Sequence, residues 1–144
     1  MFVRQILNAK GKDGVVTVAP GTSLQQVAEL LSSRRIGAVV VSGDGRHVAG
    51  ILSERDIVRE LGRRGPSCLS AVVDSVMTVE TVSCTMADSA DFVLDRMTRG
   101  RFRHMPVVED GAMIGLISIG DVVAARLSQL SMEKDALEGM IKGF

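Results

Sequence analysis

The feature that most constrains the fold of this chain is a pattern that occurs twice. GILSERDIV at residues 50–58 and GLISIGDVV at residues 115–123 match at Gly, Ser, Asp and Val, at an offset of 65 residues. An apolar run and an Asp-Gly pair precede each copy, in IGAVVVSGDGRHVAG and HMPVVEDGAMIG. Because self-similarity at a fixed offset marks a repeated structural unit, the chain is predicted to contain two copies of one small unit.

Each unit is predicted to run strand, helix, strand, strand, helix. AVVV at residues 38–41 is β-branched and too short for a helix, so it predicts a buried strand. The pair Asp44-Gly45 predicts a hairpin turn into a second strand, HVAGILS, and a helix follows Ser53. SLQQVAELLSSRR predicts the amphipathic helix ahead of these strands. In the second half the equivalent segments are ETVS, SADFVLDRMTR, MPVVED, AMIGLIS and a helix from about Asp121.

The boundary between the units is placed in GRRGPS, residues 62–67. This gives a first domain of residues 1–64, with an N-terminal segment, and a second domain of residues 65–144, with a C-terminal helix. The repeated unit, about 65 residues long by its offset, falls short of the roughly 70–80 residues that a lone core needs for comfortable stability. The halves are therefore predicted to pack about a pseudo-twofold axis, as one module of mixed α/β (α+β) class with two helices and a small three-stranded sheet in each half.

Composition and charge exclude several classes of function. Seventeen basic and seventeen acidic residues give a formal net charge of zero, which disfavours a nucleic-acid partner or binding to an acidic membrane. The chain has two cysteines, no secretory signal and no apolar run of about 20 residues, so we expect a soluble, cytoplasmic protein. His47 and His104 are far apart in sequence and lack metal-ligand spacing, so no metal is expected.

The repeated S-x-x-D motif has two interpretations. A helix start that faces a cleft binds anions through its free N–H groups, and Asp56 or Asp121 beside it can accept hydrogen bonds from a ribose diol. Ser53 and Ser118 can donate to ribose or phosphate. The same spacing is also close to a capping box, which needs no ligand. The repetition of the preceding glycine and two apolar residues favours the ligand interpretation, although both can hold together.

The motif G-h-h-S-x-x-D, the order of elements and the segments RFRHMPVV and IGAVVV resemble the tandem CBS (cystathionine β-synthase) domain, also called a Bateman module. ERDIVRELGRRG and SIGDVVAARLSQL are similar to stand-alone bacterial CBS pairs without a catalytic domain. The resemblance covers nearly the whole chain. It implies adenosine ligands in the cleft between the halves, two potential sites, and flat homodimers of two pairs.

The resemblance also implies a set of contact residues. Aspartates at the ribose are Asp56 and Asp121, the serines before them are Ser53 and Ser118, and the basic residues that face phosphate are Arg55, Arg103 and His104. The adenine would lie against Val15, Val16, Gly37 and Ala38 at the Asp121 site, and against Met77, Thr78, Met105 and Pro106 at the Asp56 site. Gly120 stands opposite Arg55, where the family often has serine or threonine, so the two sites are not expected to be equivalent.

His104, Cys84 and the last helix each allow two interpretations. His104, with Arg101 and Arg103 beside it, is either a phosphate contact or a polar residue at a strand end. Cys84 with His104 has the composition of a thiol nucleophile, but no acid stands at a spacing that would orient the histidine, so no catalysis is expected. The last helix carries an apolar seam, interrupted by Lys134, that favours a dimer contact over packing on its own module. The seam consists of Val123, Leu127, Leu130, Leu137 and Ile141.

The expected function is regulatory: AMP binding between the halves changes an interface with an unknown regulated protein. ATP, ADP, NAD(H) and S-adenosylmethionine share the adenosine that the motif would bind, although the basic residues favour a phosphorylated ligand. A nucleotide-processing enzyme would need a base, a metal or a nucleophile, and none is apparent. An interaction scaffold with a degenerate cleft is the remaining alternative.

Overall fold

The computed structural model describes residues 1–11 and 14–143, and in them the fold is mixed α+β. The helices are α1 (Val3–Lys10), α2 (Leu24–Arg34), α3 (Glu54–Arg64), α4 (Ala90–Gly100) and α5 (Ile119–Ile141). The strands are β1 (Thr17–Val18), β2 (Ala38–Val41), β3 (Gly50–Ser53), β4 (His104–Glu109) and β5 (Ala112–Ser118). Two short 3-10 turns, Pro66–Ser70 and Val73–Ser75, connect the halves.

The first half has a three-stranded sheet in the order β1-β2-β3, with β1 parallel and β3 antiparallel to β2. Helix α2 begins after Ser23, whose side chain accepts the Gln26 N–H. In this half β2 and β3 form the predicted antiparallel pair, but the tight turn at Asp44-Gly45 and the long second strand are wrong. Asp44 Oδ1 accepts hydrogen bonds from the backbone N–H groups of Arg46 and His47, both at 2.8 Å. These bonds hold an extended loop, so β3 starts only at Gly50.

The second half keeps the hairpin but loses the regular first strand. Asp110 and Gly111 both have positive φ, 51° and 79°, which fits the tight type I′ turn between β4 and β5. The predicted strand ETVS is absent, and pairing there is a single parallel bridge between Cys84 and Val107.

A proline explains why the second sheet has two strands and the first has three. In the first half the Val40 N–H donates to the Val16 carbonyl at 3.1 Å. Pro106 holds the equivalent position and has no N–H to donate. The Pro106 carbonyl still accepts from the Cys84 N–H at 3.0 Å, so one bridge remains.

The segments that lead into each half pack on the opposite half. We call residues 1–10 and 71–80 the lead-in segments. The Val3 N–H donates to the Asp88 carbonyl and the Val73 N–H to the Thr22 carbonyl, both at 2.8 Å. Val3 and Ile6 are buried in the core of the second half, and Val73 in that of the first. The N-terminal segment, which the sequence analysis grouped with residues 1–64, therefore packs on the second half.

The glycine of each repeated motif makes room for the lead-in segment. A Cβ atom on Gly50 would lie 2.5 Å from Met77 Sδ and 3.0 Å from the Thr78 carbonyl oxygen. A Cβ atom on Gly115 would lie 2.9 Å from Leu7 Cδ2. The exchange of lead-in segments is thus the physical reason for a glycine that helix capping does not require.

Candidate functional site

Two clefts lie where the repeated motifs end, and each is lined by both halves. The Asp121 cleft has a volume of about 840 Å³ and is lined by Leu7, Asn8, Lys10, Gly11, Gly14, Val15, Val16, Arg34, Arg35, Ile36, Gly37, Ala38, His104, Ile114, Gly115, Leu116, Ser118 and Asp121. The Asp56 cleft has a volume of about 500 Å³ and is lined by Ile51, Ser53, Glu54, Arg55, Asp56, Arg59, Thr78, Glu80, Thr81, Val82, Gly100, Arg101, Phe102, Arg103 and His104. Either volume is within the usual range for a small-molecule site.

The structure brings most of the predicted contact residues to these clefts. Those in the Asp121 cleft are Val15, Val16, Gly37, Ala38, Ser118 and Asp121. Those in the Asp56 cleft are Ser53, Arg55, Asp56, Thr78, Arg103 and His104. Four predicted residues line neither cleft: Met77, Met105, Pro106 and Gly120.

These four residues have other places in the fold. Met105 is fully buried in the core of the second half, and Met77 packs over Gly50. Pro106 lines a separate, smaller cavity beside the loop of the first half. Gly120 is exposed in the first turn of α5, where a Cβ atom would come within 4 Å only of Ser118 Oγ.

A shift of register explains the error at the Asp56 cleft. Helices α2 and α4 start after Ser23 and Ser89, which sets an offset of 66 residues in this part of the repeat. At that offset Val15 and Val16 correspond to Thr81 and Val82, and these two residues line the Asp56 cleft. The predicted positions, Met77 and Thr78, each lie four residues before these two.

Both motif aspartates act as helix caps. Asp56 Oδ2 accepts the Ser53 N–H, and Asp121 Oδ2 accepts the Ser118 N–H, each at 2.8 Å. At α5 the Asp121 N–H also donates to Ser118 Oγ at 3.1 Å, which completes a capping box. The capping interpretation is therefore correct at both helices. It leaves the other carboxylate oxygen, Oδ1, for a further partner.

The two aspartates differ in that further partner. Asp56 Oδ1 accepts a hydrogen bond from Arg59, one turn along the same helix, at 2.6 Å. At Asp121 the cation is Lys10 of the remote lead-in segment, whose Nζ lies 2.9 Å from Oδ2 and 2.7 Å from the Leu116 carbonyl oxygen. Among the described residues, no hydrogen bond reaches Asp121 Oδ1. Burial raises the pKa of Asp121, but the Ser118 N–H and Lys10 outweigh it and hold the pKa below its ordinary value, so the carboxylate is ionised.

His104 is the one described residue that lines both clefts. Its ring packs on Gly37, where an added Cβ atom would lie 3.4 Å from Nε2. Burial lowers the pKa of His104 below its ordinary value, and Lys10 adds to this effect against the opposing charges of Asp121 and Glu54. His104 is therefore neutral at pH 7, so it is a hydrogen-bonding group there rather than the cation that the sequence analysis expected.

Of two arginines that line the clefts, Arg101 was considered only as a neighbour of His104, and Arg35 was missed. Arg35 and Arg101 end α2 and α4 in the left-handed conformation, with φ of 54° and 56°, where glycine is the usual residue. An arginine kept twice at a strained position beside a cleft indicates a role for its side chain. The equivalent ends of the two helices, SSRR at residues 32–35 and TRGR at residues 98–101, carried this signal in the sequence.

Cys84 does not have the character of an activated nucleophile, and it lines neither cleft. Burial, with the nearby charge of Asp88, raises the pKa of the Cys84 thiol to about 12, so it stays protonated at neutral pH. Within residues 1–11 and 14–143, no three His, Cys, Asp or Glu side chains are arranged to hold a metal ion. In the same part of the chain, no helix combines the length and apolar character that crossing a membrane requires.

Comparison with known proteins identifies the family of this fold. The CBS domain family model matches residues 3–63 and 73–128. The mitochondrial CBS domain-containing protein CBSX3 of Arabidopsis thaliana is 32% identical over 98% of this chain and 72% of its own length. Larger relatives from the same plant, such as CBSCBSPB2, are spanned only to 23%.

Solved structures with the same fold include proteins with and without a ligand named. The CBS-domain containing protein ATU1752 from Agrobacterium tumefaciens has 44% identity and a TM-score of 0.83, covering 88% of this chain and 99% of that one. PAE2072 from Pyrobaculum aerophilum, complexed with AMP, has 23% identity and a TM-score of 0.72, covering 84% and 89%. The CBS domain pair of protein MJ0100, complexed with 5′-methylthioadenosine and S-adenosyl-L-methionine, has 20% identity and a TM-score of 0.74, covering 93% and 98%. With two matched repeats and an interlocked α+β fold, this chain belongs to the CBS domain family as a tandem pair.

Proposed function

We propose that this chain is a ligand-sensing regulatory module that binds an adenine nucleotide, AMP first among them, in the clefts between its two repeats. The observation that carries the proposal is the Asp121 cleft. There an ionised carboxylate has one oxygen without a partner among the described residues, at the start of a helix that faces a cavity of about 840 Å³. A ribose diol provides two donors for such an oxygen, and the helix start favours an anion nearby.

The charges in both clefts support a phosphorylated ligand. In the Asp121 cleft Lys10, Arg34 and Arg35 stand against Asp121, a net charge of two positive among the described lining residues. The Asp56 cleft has four arginines against three carboxylates, a net charge of one positive; these are Arg55, Arg59, Arg101 and Arg103 against Glu54, Asp56 and Glu80. ADP, ATP and NAD(H) satisfy the same charge pattern as AMP, whereas S-adenosylmethionine carries a sulfonium that it disfavours.

A melting experiment on ligand-stripped protein tests the proposal. A nucleotide that binds only the folded chain should add about 2.7 kcal/mol at 100 times its Kd, and for a domain of this size that raises Tm by roughly 5–11 °C. AMP should raise Tm more than adenosine, and GMP should have little effect. If no adenine compound shifts Tm at millimolar concentration, the ligand-sensing function is excluded.

The alternative function is an interaction scaffold with unoccupied clefts. Both aspartates already cap helices and hold ion pairs, which gives them a structural role that needs no ligand. Mass spectrometry of small molecules released from freshly purified protein separates the two functions, because a scaffold releases no stoichiometric nucleotide.

We also propose that the chain is a homodimer that associates through α5. The family match ends at residue 128, but α5 continues to Ile141. The apolar seam continues along α5 beyond the repeat, and its side chains are between 45% and 84% exposed to solvent. The seam residues are Val123, Leu127, Leu130, Leu137 and Ile141. A second copy of the same helix would cover this seam. Sedimentation that gives a 15.3 kDa species at micromolar concentration would exclude the dimer.

A further inference from the structure

Lys10 is held inside the Asp121 cleft by two contacts. Its Nζ donates to the Leu116 carbonyl at 2.7 Å and to Asp121 Oδ2 at 2.9 Å. The lysine ends α1, and Val3 and Ile6 of that helix are buried in the core of the second half. The ammonium group is therefore positioned by the fold, although one third of the side chain is exposed.

The described residues that line the Asp56 cleft include no lysine. Lys10 lies three residues after Leu7, which packs over Gly115, and Glu80 lies three residues after Met77, which packs over Gly50. The equivalent position in the Asp56 cleft thus carries the opposite charge. Asp56 obtains its cation from Arg59 of its own helix instead. Because a helix cap works equally well in both halves, Lys10 is a feature of one cleft and not a requirement of the fold.

The charge of Lys10 discriminates between classes of ligand. A ribose diol that donates to Asp121 Oδ1 draws on the negative charge of the carboxylate whose Oδ2 holds the ammonium, and it brings no negative charge of its own. The weakened ion pair then leaves a partly buried cation beside Arg34 and Arg35, which line the same cleft. A phosphate on the same ligand gives Lys10 a new anionic partner, whereas a sulfonium adds a further positive charge.

We propose that Lys10 makes the Asp121 cleft selective for phosphorylated over unphosphorylated adenosine ligands, while the Asp56 cleft, with Glu80 at the equivalent position, discriminates less. This selectivity rests on the proposed function, because it concerns the ligand of the same cleft. It assigns to the lead-in segment a role in recognition as well as in packing.

Calorimetric titration with AMP and with adenosine tests the role of Lys10. The site is identified as the one that Asp121→Ala removes. At that site Lys10→Met should weaken AMP by about 10-fold or more while adenosine changes by less than about threefold, and Lys10→Arg should keep the parent's preference. Glu80→Gln is the matched control and should leave the AMP preference of the Asp121 cleft unchanged. Raising the salt concentration should reduce the preference in the parent and have little effect in Lys10→Met.

The outcomes separate this inference from the proposed function. If Lys10→Met weakens AMP and adenosine by the same factor, or neither, Lys10 is only a structural residue and the selectivity is excluded. If the parent protein binds neither compound, the adenine-sensing function itself is excluded, and the selectivity with it. Urea unfolding of each variant shows whether it is folded, and Lys10→Gln replaces any methionine variant that is not.

Discussion

The two clefts share one motif and differ in the cation that contacts its aspartate. In both, the aspartate three residues into a helix accepts a serine N–H at 2.8 Å. In the Asp56 cleft the second carboxylate oxygen, Oδ1, accepts a hydrogen bond from Arg59, and the Asp56 side chain is only 12% exposed. In the Asp121 cleft the cation comes from Lys10 and the aspartate side chain is 24% exposed. The motif thus determines how the helix starts, whereas residues outside the motif determine what ligand the cleft can accept.

The largest expected difference between the clefts is in affinity for AMP. We expect the Asp121 cleft to bind more tightly, because Oδ1 has no partner among the described residues and the net charge of the lining is more positive. Asp121→Ala should remove the tighter site and Asp56→Ala the weaker one, each losing about 10- to 100-fold in affinity at that site. Calorimetric titration of both variants measures the loss.

Unfolding measurements on the same two variants provide the control for helix capping. If capping is the only role of these aspartates, both lose about 0.5–2 kcal/mol of stability and bind AMP like the parent. Equal affinities at the two sites of the parent protein would contradict the ranking of the clefts.

The next expected difference is in how each half tolerates a methyl group on its motif glycine. Gly50→Ala would place Cβ against both Met77 and the Thr78 backbone oxygen, whereas Gly115→Ala meets only the flexible side chain of Leu7. We expect Gly50→Ala to cost about 1–3 kcal/mol in the free energy of unfolding and Gly115→Ala less than about 1 kcal/mol. Urea unfolding measures both. Similar losses in the two variants would mean that the lead-in segments are packed equally tightly.

The smallest expected effect concerns the residue that both clefts share. His104 has a lowered pKa in the folded state, so the unfolded chain binds its proton first as pH falls. The contribution of neutral His104 to the free energy of unfolding is complete above the unfolded-state pKa of about 6.5. It is lost as pH falls from there through the lower pKa that His104 has in the folded state. Lys10, Asp121, Glu54 and Arg103 are the charged groups that influence this titration.

The variant His104→Gln keeps a polar side chain that does not titrate, and Ala38 shows that the first half functions structurally without a histidine there. Unfolding midpoints at several values between pH 7.5 and pH 5 should fall less steeply for His104→Gln than for the parent. Parallel pH curves for the two proteins would show that His104 contributes no pH dependence in this range.

The repeat made most of the fold predictable, because a pattern that occurs twice can be checked against itself. The bounds of α2 and α4 follow from Ser23 and Ser89, and the tight turn at Asp110-Gly111 follows from its residue types. The absence of a strand at ETVS was also predictable from the sequence. Pro106 stands at the position of Val40, whose N–H donates to the first strand in the first half, and proline has no N–H.

Other features were not predictable from the motif. Its four-residue spacing predicted both aspartates in the clefts, but a pocket wall comes from distant segments and depends on register. Met105 and Pro106 were assigned to a wall that Arg103 and His104 form. Lys10 was missed because 111 residues separate it from Asp121, and no local pattern connects residues so far apart.

The exchanged lead-in segments also affect how the chain is made. Helix α1 is made before the core that covers Val3 and Ile6, because that core is built from residues such as Val93 and Val122. At about 5–20 residues per second, translation reaches those positions on the order of 5–25 s later. During that interval the first repeat can form its own strands, but residues 71–80, the lead-in segment that packs on it, have not yet been made. Both cores are therefore completed only when the second repeat has been made. A nascent chain stalled between the repeats exposes the apolar face of α1 and the part of the first core that Val73 covers in the folded chain.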